Sequence, residues 1–198
     1  MNCYQRIIKR VFDVVFSVLG LIFLLPFLIF IAIIILFIDG FPIFFSQERI
    51  GIYGNKFKIY KFRTMVVNNQ KLNVTKLSDD RITSLGMVLR NNKIDELPSL
   101  VNVMLGQMSF VGPRPDVSGL YDNLNDDERK VLSFKPGITG PASLKYRNEE
   151  RILDEVKDPV DYNRKIIFPD KVKINLEYIN NWSFFGDIKI IFKTIFGL

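Results

Sequence analysis

From Val14 to Ile38 the chain carries no charged residue and is built almost entirely of Phe, Ile, Leu and Val. As a helix this run of about 25 residues would be ~38 Å long, against a hydrocarbon core of roughly 30 Å. It is apolar on every face, which predicts insertion into a membrane rather than packing in a soluble core. The run is too long for a cleaved signal peptide, and no small-residue cleavage site follows it. Pro26 falls near its middle and predicts a kink, because proline removes a helix hydrogen bond and crowds the preceding turn. Basic residues flank both ends, Arg6, Lys9 and Arg10 before it and Arg49, Lys56, Lys58, Lys61 and Arg63 after it. Under the positive-inside rule both flanks prefer the cytoplasm. A re-entrant helix that bends at Pro26 satisfies both, whereas a Pro-kinked span satisfies one; the residues leave the two open. The pattern divides the chain into a membrane-inserted segment, 1–40, and a second segment, 41–198, that forms one unit with it.

Beyond the apolar run the period changes. Phe41 to Arg63 reads as a hairpin, with Tyr53-Gly54-Asn55 as its turn. Lys56-Phe57-Lys58-Ile59 alternates as a half-exposed strand should. Continued alternation sets Lys61 and Arg63 on the face of Phe57 and Ile59, so either a bulge re-aims them or two cations face a group that attracts them. Residues 68–80 are polar and loop-like. Helical signals follow at 83–89 and 95–105, the second with acids in its first turn and Pro98 just inside. Pro113-Arg114-Pro115 and the run from Lys135 to Pro141 read as stiff turns. Near the end, Ile188, Ile191, Phe192 and Ile195 share a helical face, with Lys189 and Lys193 away from it. That suits an interfacial amphipathic helix and, almost equally, a core-facing one. The fold class expected is α+β, mostly helical, with one short hairpin and interfacial amphipathic helices.

Composition removes several chemistries. The 198 residues include no histidine, so a Ser-His-Asp triad, a His-bound zinc and an imidazole base are excluded. Cys3 is the single cysteine, which excludes an internal disulfide and a Cys-rich metal site. Catalysis would therefore rest on Asp, Glu, Lys, Arg, Tyr or Ser, with room for an oxygen-ligated Mg²⁺. A net charge of +6 suits nucleic acid, anionic lipid or a phosphate-bearing substrate without choosing among them.

Two features could carry chemistry. Asp95-Glu96 sits at a helix start, where paired acids usually serve only the helix dipole. Arg114 is held between two prolines, which would display a bidentate guanidinium from a rigid turn; an ordinary surface turn is the plainer reading. Their order raises the odds. The run from Asp95-Glu96-Leu97-Pro98 through Asn102, Gly106 and Ser109 to Val111-Gly112-Pro113-Arg114-Pro115 resembles the bacterial sugar transferase family, the monotopic phosphoglycosyl transferases. So do Tyr60-Lys61-Phe62-Arg63-Thr64-Met65, Arg81-Ile82-Thr83, Lys135-Pro136-Gly137-Ile138-Thr139-Gly140, and Asn181-Trp182-Ser183 before a helix opening Asp187-Ile188-Lys189.

The resemblance implies a re-entrant membrane helix and a small catalytic domain on the cytoplasmic face of the bacterial inner membrane. It implies that Asp95 attacks the β-phosphorus of a UDP-sugar, expels UMP and holds the phosphosugar until polyprenyl (undecaprenyl) phosphate accepts it. Asp95 would also touch Mg²⁺, with Glu96 near the metal and the acceptor. Arg114 would bind phosphate, with Lys61, Arg63, Arg90 and Arg147 as further cations at matching positions. Membrane lipids are implied as partners and nucleic acid is not; a homodimer is compatible with the pattern. Two departures stand out. Asn91-Asn92-Lys93-Ile94 replaces the family's usual approach to the acidic pair, and Leu25 stands where a serine often eases the helix break. No apolar segment precedes this one, as in the family's smallest forms. The rival class is a non-catalytic, membrane-anchored basic binding module, which would need dispersed cations rather than cations bracketing one acidic pair.

Overall fold

The computed structural model describes residues 1–66, 78–116, 119–121 and 124–197. Of the polar stretch 68–80, the part 68–77 lies outside the described residues. The protein is mixed and mostly helical, with two small sheets of two strands each among the described residues.

Helix α1, Cys3–Ile38, runs for 36 residues with Pro26 inside it. A capping box starts it: the Asn2 side chain accepts from the Gln5 amide, and the Gln5 side chain accepts from that of Asn2. Its burial is inverted relative to a soluble helix. Lys9, Asp13 and Ser17 are buried, while Phe23 and Phe37 are 84 % and 83 % exposed. Apolar rings facing out and polar groups facing in suit a helix whose outer solvent is lipid. The inward groups all have protein partners. Lys9 Nζ donates to Asp187 at 2.5 Å and to the Val111 carbonyl at 2.9 Å. Asp13 accepts from the Phe110 amide at 3.0 Å and from Ser109 Oγ at 3.1 Å. Arg10 donates to the carbonyls of Val103 and Met104. At the other end Ile31 and Ile35 pack with Phe62 and Leu89, and Arg63 donates to the carbonyls of Asp39, Gly40 and Phe41. Both ends of α1 are thus tied to the rest of the molecule.

Strands β1 (Phe44–Ile50) and β2 (Lys56–Phe62) pair antiparallel, in unbroken register from Phe44↔Phe62 to Ile50↔Lys56. The turn between them holds Tyr53 at φ 57° and Gly54 at φ 80°. With no bulge in the register, Lys61 keeps to the face of Phe57 and Ile59, as alternation requires. Those two residues pack with Val103 and Met108.

Helix α2, Ser84–Asn91, is capped by Thr83, whose hydroxyl accepts from the Gly86 amide. The single helix expected over 95–105 comes in two pieces, a 3-10 helix at Ile94–Ser99 and α3 at Leu100–Met104. The reason is local. Lys93 enters with φ 56°, and Pro98 supplies no N–H, so the first turn tightens before the α-helix is established.

Two strands were not expected: one precedes the Pro113-Arg114-Pro115 turn, and the other lies inside the run from Lys135 to Pro141 that was read as a turn. β3, Ser109–Val111, lies parallel to β4, Gly137–Thr139. Three residues are too few to show alternation, but the glycines mark the contact. A Cβ on Gly137 would stand 2.2 Å from the Gly112 amide nitrogen, so the two backbones approach only without side chains. The remaining α-helices are α4 (Pro141–Lys145), α5 (Glu149–Asp154), α6 (Pro159–Tyr162), α7 (Phe168–Asn180) and α8 (Phe184–Phe196). Phe168 and Val172 of α7 join Ile50, Tyr121, Leu124 and Val131 in a core cluster. On α8 the one buried residue is Asp187, whereas Phe185, Phe192, Ile195 and Phe196 are exposed. The core-facing reading of this helix therefore does not hold: its apolar face looks away from the protein.

Candidate active site

Glu96 is the electrostatic centre of a cleft lined by Arg49, Lys61, Ser99, Arg114 and Gly137. It comes from the 3-10 helix, Lys61 from β2 and Arg114 from the Pro-Arg-Pro turn after β3. Lys61 Nζ donates to Glu96 Oε1 at 2.5 Å, and Arg114 Nη2 donates to the same oxygen at 3.1 Å. Burial alone would raise the Glu96 carboxyl, but the two cations outweigh it and hold Glu96 well below the usual carboxylate range. Glu96 in turn raises Arg114 further, so that guanidinium stays charged. Lys61 is lowered by burial, with Glu96 opposing.

Asp95 is in the opposite condition. It is 7 % exposed, and its Oδ1 is buried with no hydrogen-bond partner. Burial pushes its carboxyl up and the charge of Glu96 adds to the push, against Lys61, Arg90 and Lys93. An orphaned buried carboxylate oxygen is costly to a fold and calls for a ligand. It fits an oxygen-seeking cation such as Mg²⁺, which is commonly held by one or two carboxylates together with substrate phosphates. No group of three or more metal-ligating side chains occurs among the described residues, so Asp95 would hold such an ion with a phosphate-bearing substrate rather than in a protein cage. Two adjacent acids with environments pushing them apart also suit different tasks. In the metal-free protein the Asp95 carboxyl should titrate above its ordinary value of 3.8, because burial and the charge of Glu96 disfavour its ionised form. An NMR titration of that carboxyl without Mg²⁺ giving a pKa at or below that value would contradict this.

Of the other sequence candidates, Arg90 is paired with Glu150 and reaches Thr64 Oγ1 at 3.4 Å, and its Nε is buried without a partner. Arg63 is not turned to the cleft; its donors reach the carbonyls that follow α1. Arg147 donates to the Thr194 carbonyl near the end of α8 and lines a separate groove with Lys145 and Arg151. The structure therefore brings Lys61, Glu96 and Arg114 together with Asp95 beside them, and sets Arg63 and Arg147 apart.

Two site residues escaped the sequence reading. Arg49 lies directly opposite Phe57 in the hairpin, hence on the face of Lys61; the alternation contained that signal. Asn102 is fully buried and uses its amide as a strand would use its backbone. Its Oδ1 accepts from the Tyr60 amide at 3.1 Å, and its Nδ2 donates to the Lys58 carbonyl at 2.7 Å. This sets α3, and the acidic pair just before it, in register with Lys61. No periodicity announces such a contact.

Residues 4–198, which include the whole cleft, match the model of bacterial sugar transferases. The chain belongs to the bacterial sugar transferase family. It is 39 % identical to the galactosyl transferase CpsE of Streptococcus agalactiae serotype III over 97 % of this chain and 42 % of that protein. It is 35 % identical to the undecaprenyl-phosphate galactose phosphotransferase of Salmonella typhimurium, over 96 % of this chain and 40 % of that one. A shorter family member, the exopolysaccharide production protein ExoY of Sinorhizobium fredii, is 35 % identical over 94 % of this chain and 83 % of its own length. The chain thus spans about two-fifths of the first two relatives.

Proposed function

We propose that this protein moves a sugar 1-phosphate from a UDP-sugar to undecaprenyl phosphate, releasing UMP and starting a glycoconjugate chain. The reading is carried by the unpartnered, buried Asp95 oxygen next to a Glu96 clamped by Lys61 and Arg114. It is supported by the likeness to a 36 % identical relative from Escherichia coli, the UDP-glucose:undecaprenyl-phosphate glucose-1-phosphate transferase.

In the proposed reaction an Asp95 carboxylate oxygen forms a bond to the β-phosphorus. The bond from that phosphorus to the bridging oxygen breaks, and its electron pair leaves with UMP. A phosphate oxygen of the polyprenyl acceptor then displaces the Asp95 carboxylate, giving the lipid diphosphate sugar. Arg114 and Lys61 lie where they can neutralise phosphate oxygens, and Glu96 fixes both cations. Mg²⁺, when bound at Asp95 and the diphosphate, supplies charge neutralisation that lowers repulsion between nucleophile and donor. UMP should appear on mixing enzyme with UDP-sugar, in stoichiometric amount, before any lipid acceptor is added. A product assay yielding only UDP would point to ordinary glycosyl transfer instead, and no nucleotide product across a panel of UDP-sugars would favour a binding module.

For the membrane segment we favour the re-entrant topology, with the catalytic unit 41–198 on the cytoplasmic face of the bacterial inner membrane. Both ends of α1 are bonded to the same catalytic unit, Lys9 to Asp187 and the carbonyls after Ile38 to Arg63. Cysteines introduced at Gln5 and Asn55, after Cys3→Ser, should both label from the cytoplasmic side. Labelling of one of them only from the periplasm would establish a span.

A further inference from the structure

The segment that displays Arg114 has few amides with which to fasten itself. Pro113 and Pro115 have no N–H, so in Pro113-Arg114-Pro115 the carbonyls are the main handles. They are used. The Pro113 carbonyl accepts from the Gly137 amide at 2.8 Å, and the Asp116 carbonyl accepts from the Ile50 amide at 3.0 Å. The Pro115 carbonyl has a long contact from Arg49 Nη1 at 3.5 Å. The Arg114 carbonyl accepts from the Tyr121 hydroxyl at 2.9 Å.

Tyr121 is unusual among these donors because its position is set by packing. The residue is 6 % exposed and belongs to the core cluster of Ile50, Val131, Phe168 and Val172, and its ring stands edge-on to Phe168 with centroids 5.5 Å apart. A phenol this buried must place its hydroxyl on an acceptor or lose the hydrogen bonds that water gave it. Burial, with the Asp116 charge nearby, pushes its pKa well above the ordinary phenol value, so it remains a donor.

We propose that Tyr121 is a positioning residue for Arg114: it fixes the main chain of that arginine from the hydrophobic core and so holds its guanidinium in the cleft. The inference rests on the reading that Arg114 binds donor phosphate, and it makes the core cluster part of the device that aims the charge. Small misplacements of a positioned group cost large factors in rate, and coupled residues reveal themselves by non-additive losses.

The test is a double-mutant cycle on the full chain in detergent or nanodiscs, read by UMP release from UDP-sugar and by thermal melting. Tyr121→Phe keeps the ring and removes one hydroxyl. It should lower kcat/KM by about tenfold with the melting temperature falling by no more than about 2–4 °C, the loss of one hydrogen bond, while in an Arg114→Ala background the same change should alter the rate less than about twofold. If Arg114→Ala is crippled but Tyr121→Phe is fully active, the inference fails and the functional reading stands. Equal losses in both backgrounds, with a matching fall in melting temperature, assign Tyr121 a purely structural role and also overturn it. A near-normal rate in Arg114→Ala removes the premise itself.

Discussion

Asp95→Asn should give a folded protein with no measurable turnover. The amide has nearly the shape of the carboxylate, and no partner at the buried Oδ1 is lost by the exchange. Charge favours the variant's stability. Asp95 is raised by burial and by Glu96 beside it, so removing the negative charge relieves both costs, and the melting temperature should hold or rise slightly. Chemistry is lost because an amide oxygen is a poor nucleophile at phosphorus and a poor ligand for a metal. Glu96 cannot take over, since its Oε1 is held by Lys61 and Arg114 and its charge fixes those cations. If Asp95 only served the start of a helix, Asn would replace it at a loss under ~1 kcal/mol with activity retained. Asp95 forms no side-chain cap, since the residue preceding the 3-10 helix is Lys93, but it lies in the first turn, where the dipole role also places it. Steady-state UMP release and a melting curve on the same preparation distinguish the two.

The second large effect is expected at Arg114. Arg114→Ala should lower kcat/KM by ~10²–10³, the usual consequence of losing one preorganised charge-stabilising contact. Its stability cost should be small, because the Arg114 side chain is 39 % exposed and Glu96 keeps Lys61. Lys189→Ala is the reference. Lys189 lies exposed on α8, far in sequence and role from the acidic pair, and its loss should change the rate less than about threefold. Equal, modest losses in both would make Arg114 a structural arginine.

What could be read from the residues differed from element to element. The apolar run and the hairpin were legible because each has a period, and the helical signal at 83–89 falls on α2. Strands β3 and β4 were hidden, since three residues show no alternation and their pairing depends on glycine backbones that meet far apart in sequence. In the site, Asp95, Glu96, Lys61 and Arg114 could be named from motif order and strand alternation. Arg63 and Arg147 share a cationic side chain with Arg114 and differ only in what surrounds them. One faces the carbonyls after α1 and the other the Thr194 carbonyl, and no local pattern distinguishes a cation in a cleft from a cation on a helix end. The polar stripe Lys9-Asp13-Ser17 went unread, although its i, i+4 spacing puts the three residues on one side of α1. It marks the side of α1 that packs against the rest of the protein.

The central claim is that Asp95 carries the phosphosugar. Mass spectrometry of the intact protein and its peptides, after brief exposure to UDP-sugar with Mg²⁺ and no lipid acceptor, addresses it directly. The account predicts an adduct of one phosphosugar on the peptide containing Asp95, absent in Asp95→Asn and discharged on adding polyprenyl phosphate. An adduct mapped to another residue, or lipid-linked product formed at the normal rate by Asp95→Asn, would contradict it.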